Sequence, residues 1–194
     1  MRVDTKIPVD PSGAPQRATP LTQTWVKPLL VVSAGVLLLT LGAKVSVPFW
    51  PVPMSLQVMA LAAIGMTLGA RQAVQTVLAY LALGLAGVPV FVSSAGPAAF
   101  MGPTGGYLVG FVVAAAVVGS LSQRGWGQSF GRAWLAMLLG LVVLYVPGLA
   151  WLGHVVGWDK PVLAMGLTPF ILGDALKITL VALALPVARR FRRR

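Results

Sequence analysis

The stretch PFILGDALKITLVALALPVARRFRRR, Pro169–Arg194, decides how the chain is read. It is a long apolar run that ends in five arginines, Arg189, Arg190, Arg192, Arg193 and Arg194, and it carries one carboxylate and one ammonium inside it. About 20 apolar residues cross a hydrocarbon core as a helix, and cations gather at the cytoplasmic ends of spans. The stretch therefore reads as a transmembrane helix with its C-terminal end in the cytoplasm. Asp174 and Lys177 are three residues apart and share one helix face. Each costs about 2.5–3.5 kcal/mol at a bilayer centre. Residues kept at that cost mark a ligand or ion pathway, or else form an internal ion pair that locks the helix to its neighbours. Asp174 is the only carboxylate in any predicted span. The pair offers acceptors and donors to a neutral polar ligand such as a urea or an amide.

The rest of the composition agrees with a bilayer as solvent. Of the 194 residues, 57% are apolar and only 10% charged, against roughly 25% charged in a soluble domain. The apolar runs are long and unbroken. Outer-membrane barrels instead alternate over ~10-residue segments, so a barrel is excluded. Six helices would occupy roughly 120 residues and leave the remainder for loops and tails. The net charge of +11 would point to nucleic acid in a soluble protein. Here the positive charges sit at segment ends, where they act as topology signals and attract anionic lipid head groups, so no nucleic-acid partner is expected.

Helices are predicted at about Val26–Ala43, Met54–Leu68, Gln72–Leu85, Gly105–Leu121, Ala133–Leu152 and Thr168–Val187. Arg71 marks a tight turn between the second and third, which are short for spans. Pro147 is expected to break or end the fifth. Residues 44–53 and 87–104 are Pro-rich loops, 122–132 a polar Gly-rich loop, and a further loop holds His154, Trp158, Asp159 and Lys160. The domain reading is a flexible cytoplasmic tail over 1–24, a six-helix transmembrane substrate-binding domain over 25–188, and a basic cytoplasmic tail over 189–194. The polar start of the chain, with the first apolar run near Trp25, predicts no signal peptide.

Charge fixes the orientation. With the N-terminus inside, Arg2, Lys6, Arg17, Lys27, Arg71, Arg124, Arg132 and the five tail arginines are cytoplasmic, against Lys44 and Lys160 outside. This is a strong positive-inside bias. It requires an even number of spans, puts both termini in the cytoplasm, and turns the loops 44–53 and 87–104 outward. No internal repeat relates the two halves.

Two more segments bear on a site. In GPTGGYLVGF, Gly102–Phe111, the glycines at 102, 106 and 110 recur every four residues, and Ala114 continues the face. Small residues so spaced let helices approach closely. Thr104 and Tyr107 also fall at the mouth of the fourth helix, whose first N–H groups suit a carboxylate. In PFWPVPMSLQ, Phe49, Trp50 and Gln57 form either an interfacial aromatic belt or a lid over a pocket. Catalytic and metal chemistry find no cast. His154 stands alone, there is no cysteine, no second intramembrane Asp and no GxxxxGK[ST] loop. Neither an enzyme nor a cofactor or metal is expected.

Four blocks together carry a resemblance: VSVPFWPVPMSLQ at Val45–Gln57, GLAGVPVF at Gly84–Phe91, FMGPTGGYLVGF at Phe100–Phe111 and PFILGDALK at Pro169–Lys177. In this order they resemble the BioY family, the biotin-specific substrate-binding (S) components of energy-coupling-factor (ECF) vitamin transporters. The resemblance implies an all-α S-component bundle of six transmembrane helices in the cytoplasmic (inner) membrane, with biotin as ligand. It implies a transmembrane coupling subunit and two cytoplasmic ATPases as partners. It would place Asp174 and Lys177 on the ligand, with Gln57, Phe91, Thr104, Gly105 and Tyr107 near the pocket. The sequence departs from it on the first helix, where Ala34 and Gly35 are followed four positions later by Leu38 and Leu39 rather than by the small residues that dock a coupling subunit. The alternatives are a solitary ion-coupled carrier with Asp174 as its coupling site, and a non-transporting membrane protein with Asp174–Lys177 as a structural pair.

Overall fold

The computed structural model describes residues 21–93 and 95–192. The chain is helical almost throughout: α1 Leu21–Lys44, α2 Gln57–Leu85, a short α3 Ala98–Met101, α4 Gly105–Gln123, α5 Phe130–Val156, a short α6 Val162–Gly166 and α7 Thr168–Arg192. Two short strands, β1 Ser46–Val47 and β2 Met54–Ser55, pair antiparallel between α1 and α2. Among the described residues, four stretches are long and apolar enough to cross a membrane: Val26–Lys44, Gly105–Gln123, Phe130–Val156 and Val162–Pro186.

The fifth and sixth helical segments come from α2. Gly69 interrupts it with φ 77° and ψ 172°, a conformation essentially restricted to glycine. A continuous helix would separate Gln57 and Tyr80 by about 35 Å at 1.5 Å per residue. Instead Gln57 Nε2 donates to Tyr80 Oη at 2.6 Å. The limbs 57–68 and 70–85 therefore run antiparallel, and the expected tight turn lies at Gly69 rather than at Arg71. Arg71 marks the charged end of the turn; the left-handed φ needs the glycine two residues earlier.

Other boundaries also shift. Helix α1 begins at Leu21, so the predicted tail 1–24 loses its last four residues to helix, and its residues 1–20 lie outside the described residues. Helix α7 continues through the predicted tail to Arg192, and 193–194 lie outside the description. Residues 54 and 55 form a strand, not the start of the second helix. Helix α5 does not stop at Pro147 but runs through it to Val156. Neighbouring helices tolerate a proline inside a membrane helix, and here the Pro147 carbonyl lies against Gly106, where a Cβ would overlap it.

The small-residue face of α4 is thereby explained as packing. Gly106 rests on Pro147 and Trp151, and Gly110 on the backbone of Leu144. The first α2 limb packs on the same helix where Gly65 meets Val118, and Gly119 meets Ala70 at the turn. Helix α1 adheres to α2 through Gly35 against Thr76 and Gly42 against the Leu56–Gln57 backbone. Leu29, Leu30, Leu37, Leu38 and Leu41 of α1 stay exposed, as do Val142, Val146, Leu172, Leu176 and Leu180. Such an apolar exterior is stable against lipid. The turn at Gly69 and the end of α4 close one end of the bundle, where Ser122 Oγ donates to the Met66 carbonyl at 2.7 Å. At the other end the β1–β2 hairpin and the loop after α2 join α4, α5 and α7 around a cavity.

Candidate functional site

The cavity offers about 80 Å³ to the centres of water-sized molecules, several times the roughly 10–15 Å³ that admits one water. Its wall is mostly apolar, with Val52 and Pro53 from the hairpin, Phe91 from the loop after α2, Leu108 and Phe111 from α4, Leu144 from α5 and Phe170 from α7. Besides Ser93 and Thr104, two linked polar groups reach it.

On the α5–α7 side lie Asp174 and Lys177. Their spacing on one turn brings Lys177 Nζ to 2.8 Å from Asp174 Oδ1. Tyr145, from α5, donates its hydroxyl to Asp174 Oδ2 at 2.7 Å. Asp174 is 2% exposed, so its charge is held in an almost dry place and both oxygens are partnered. Lys177 spends one of its three N–H donors on Asp174, and among the described residues forms no other hydrogen bond. The group therefore has donors on Lys177 and spare lone pairs on Asp174 and Tyr145 to offer.

The second polar group lies on α2. Ser55 Oγ donates to Gln57 Oε1 at 3.2 Å, Gln57 Nε2 donates to Tyr80 Oη, and Tyr80 Oη donates to the Val90 carbonyl at 3.1 Å. This buried chain ties the start of α2 to the loop that carries Phe91. The Phe91 ring lies across Gly84, where a Cβ would fall inside it, and meets Tyr80 and Phe100 edge-on at centroid distances of 5.2 and 5.7 Å.

Of the residues singled out from sequence, Asp174, Lys177, Tyr107, Thr104, Gln57 and Phe91 line this one cavity. Tyr107 turns its hydroxyl to the Gly166 carbonyl at 2.8 Å, so its ring and not its donor faces the space. Thr104 Oγ1 donates to the Ala99 carbonyl at 3.4 Å. Gly105 does not line the cavity. It is wedged against the Phe100 carbonyl and the Trp151 indole, where any Cβ would clash. Phe49 and Trp50 also stay off the wall: Trp50 is 78% exposed at the hairpin tip, and Phe49 packs edge-on against Phe170. The hairpin reaches the cavity through Val52, Pro53 and Ser55 instead.

Sequence reasoning missed Tyr145, Phe111 and Phe170. The usable signal was Tyr145 itself, a hydroxyl in the otherwise apolar run LGLVVLYVPG, Leu139–Gly148, where an unpartnered polar group would be costly.

Comparison with known proteins points one way. The model of the BioY family matches residues 14–194. A probable biotin transporter BioY from Pyrococcus horikoshii is 37% identical over 165 residues, covering 84% of this chain and 95% of that protein. The biotin transporter BioY of Thermotoga maritima is 34% identical over 156 residues, 79% of this chain and 91% of its own. Among solved structures, an S-component for biotin from an ECF-type ABC transporter superposes with a TM-score of 0.74 at 28% identity, over 91% of this chain and 96% of that one.

Proposed function

The chain belongs to the BioY family, and from that premise we propose that it binds biotin in the cavity and serves biotin uptake as the substrate-specific subunit of an ECF transporter. The observation that supports this most directly is the Asp174–Lys177–Tyr145 group, the charged polar set on a mostly apolar wall. Biotin carries a neutral cyclic urea with two N–H donors and one carbonyl. Asp174 accepts from an N–H, and Lys177 donates to the carbonyl. The sulfur-bearing ring and the methylene chain fit among Phe91, Phe111, Leu144 and Phe170, an apolar lining with a few placed polar groups. The ligand carboxylate points away from Asp174, because like charges at close range in a dry site repel strongly. It lies toward Gln57, Thr104 and the first turn of α4. Gly105 belongs to the packing of that turn, not to the binding set.

Uptake against a gradient needs an energy source, and this sequence has no phosphate-binding loop. A transmembrane coupling subunit and two cytoplasmic ATPase subunits supply it. The protein resides in the cytoplasmic membrane with both termini inside and the cavity facing out, an orientation that places Arg71, Arg124 and Arg132 in the cytoplasm.

Titration calorimetry of biotin into the purified chain in detergent tests the reading. One-to-one binding in the nanomolar range is the expected result. A folded chain that takes up no heat and retains no radiolabelled biotin would remove the assignment.

A further inference from the structure

We infer that Tyr145 is a positioning residue for the ligand's urea: it fixes the plane of the Asp174 carboxylate and so sets the preference for a ligand with two ring N–H groups. The inference rests on the reading that Asp174 meets the urea of biotin.

The geometry supports this step by step. Asp174 and Lys177 sit on one turn of α7 and move together, so their own bond cannot orient the carboxylate relative to the rest of the cavity. Tyr145 comes from a different helix, 29 residues away, and donates to the other carboxylate oxygen at 2.7 Å. Two donors from two helices, one on each oxygen, stop the carboxylate from rotating about its Cβ–Cγ bond. Each oxygen keeps a free lone-pair direction. Without Tyr145, Lys177 could take both oxygens, and the acceptors aimed at the ligand would be lost.

Tyr145 is itself held. Its ring meets Tyr107 edge-on at a centroid distance of 6.0 Å, and Tyr107 is anchored by its hydrogen bond to the Gly166 carbonyl. A methyl at Gly148, one turn beyond, would overlap the Tyr107 ring. The phenol is thus braced from α4 and from the α6–α7 junction before any ligand arrives. Because its hydroxyl hydrogen is spent on Asp174, its oxygen can only accept from the cavity side. A urea N–H satisfies it, and a second carbonyl there would be repelled.

The test compares the parent with Tyr145→Phe against three ligands: biotin, biotin methylated on one ureido nitrogen, and biotin methyl ester. The ester alters the other end of the molecule. Losing a hydrogen bond to a charged group should weaken biotin binding by about 10- to 100-fold. The preference for biotin over the ureido-methylated compound should shrink, while the preference over the ester stays as in the parent. Asp174→Asn combined with Tyr145→Phe should cost less than the two separate losses added, as coupled residues do. Thermal unfolding in detergent reports the structural contribution. Parent-like affinity in Tyr145→Phe would overturn the inference while leaving the biotin assignment intact. So would an equal loss for all three ligands that accompanies a lowered melting temperature. A parent chain that binds no biotin would overturn both.

Discussion

Lys44 Nζ donates to the carbonyl of Phe91 at 2.9 Å, joining the last residue of α1 to the loop that closes one side of the cavity. Helix α1 otherwise meets the bundle through Gly35 and Gly42 and the buried Val36, Leu39 and Ala43, while most of its leucines face outward. The lysine therefore links a weakly embedded helix to the residue whose ring forms part of the wall. Lys44→Met keeps the length and removes the donor. A partly exposed hydrogen bond contributes about 0.5–1.5 kcal/mol, so biotin should dissociate about 2- to 10-fold faster with the fold unchanged. Release of radiolabelled biotin into excess cold ligand measures this, and an unaltered rate would show that the link does not hold the loop.

Removing one member of the charged pair should damage more than removing both. Lys177→Met strands the Asp174 carboxylate in a nearly dry site with only Tyr145 as partner, a change that costs about 3 kcal/mol at the low end of the range for broken buried pairs. Asp174→Leu combined with Lys177→Met removes both charges and should recover much of the melting temperature. Neither variant should bind biotin. Binding by the double variant would mean that the pair only holds helices together.

Gly69→Ala forces a side chain into φ 77° and pushes a Cβ toward the Gln123 amide. Strain at such a position costs about 1–3 kcal/mol. The expected outcome is a lower melting temperature in detergent, with biotin affinity at low temperature close to the parent's because the turn lies at the far end from the cavity. Unchanged melting would contradict the hairpin geometry of α2.

Gly84→Ala places a methyl inside the Phe91 ring. The ring must leave its place between Tyr80 and Phe100, and overpacking of this kind costs about 1–3 kcal/mol. Calorimetry should show biotin binding weakened about tenfold or more. Parent-like affinity would mean that Phe91 does not shape the bound state.

The parts legible in the sequence are those where the bilayer penalises polarity. Asp174 and Lys177 stand out because little else in the spans is charged. The glycine spacing of Gly106 and Gly110 stands out because close helix approach has few other solutions. Resemblance groups Thr104, Tyr107, Gln57 and Phe91, and they line one cavity. Gly105 shared their block but serves packing, since adjacent helical residues face different ways. Tyr145 escaped notice because a phenol in an apolar run is equally at home as core, and its partner lies 29 residues away. The sequence puts the turn in α2 two residues late, at Arg71, because charge marks where chain meets water, whereas Gly69 marks where the backbone reverses. Pro147 read as a break because local rules lack the neighbouring helix that covers it.

Because Gly69 folds α2 back on itself, its limbs rise only about 18 and 24 Å, whereas α5 rises about 40 Å. A hydrocarbon core is about 30 Å thick. Lipid beside Leu78, Leu83 and Leu85 of the second limb meets a shorter apolar wall than lipid beside Val142 and Val146 of α5. The protein thus shows the membrane two thicknesses at once. Each ångström of mismatch costs a fraction of a kcal/mol, so acyl-chain length becomes a variable of its stability.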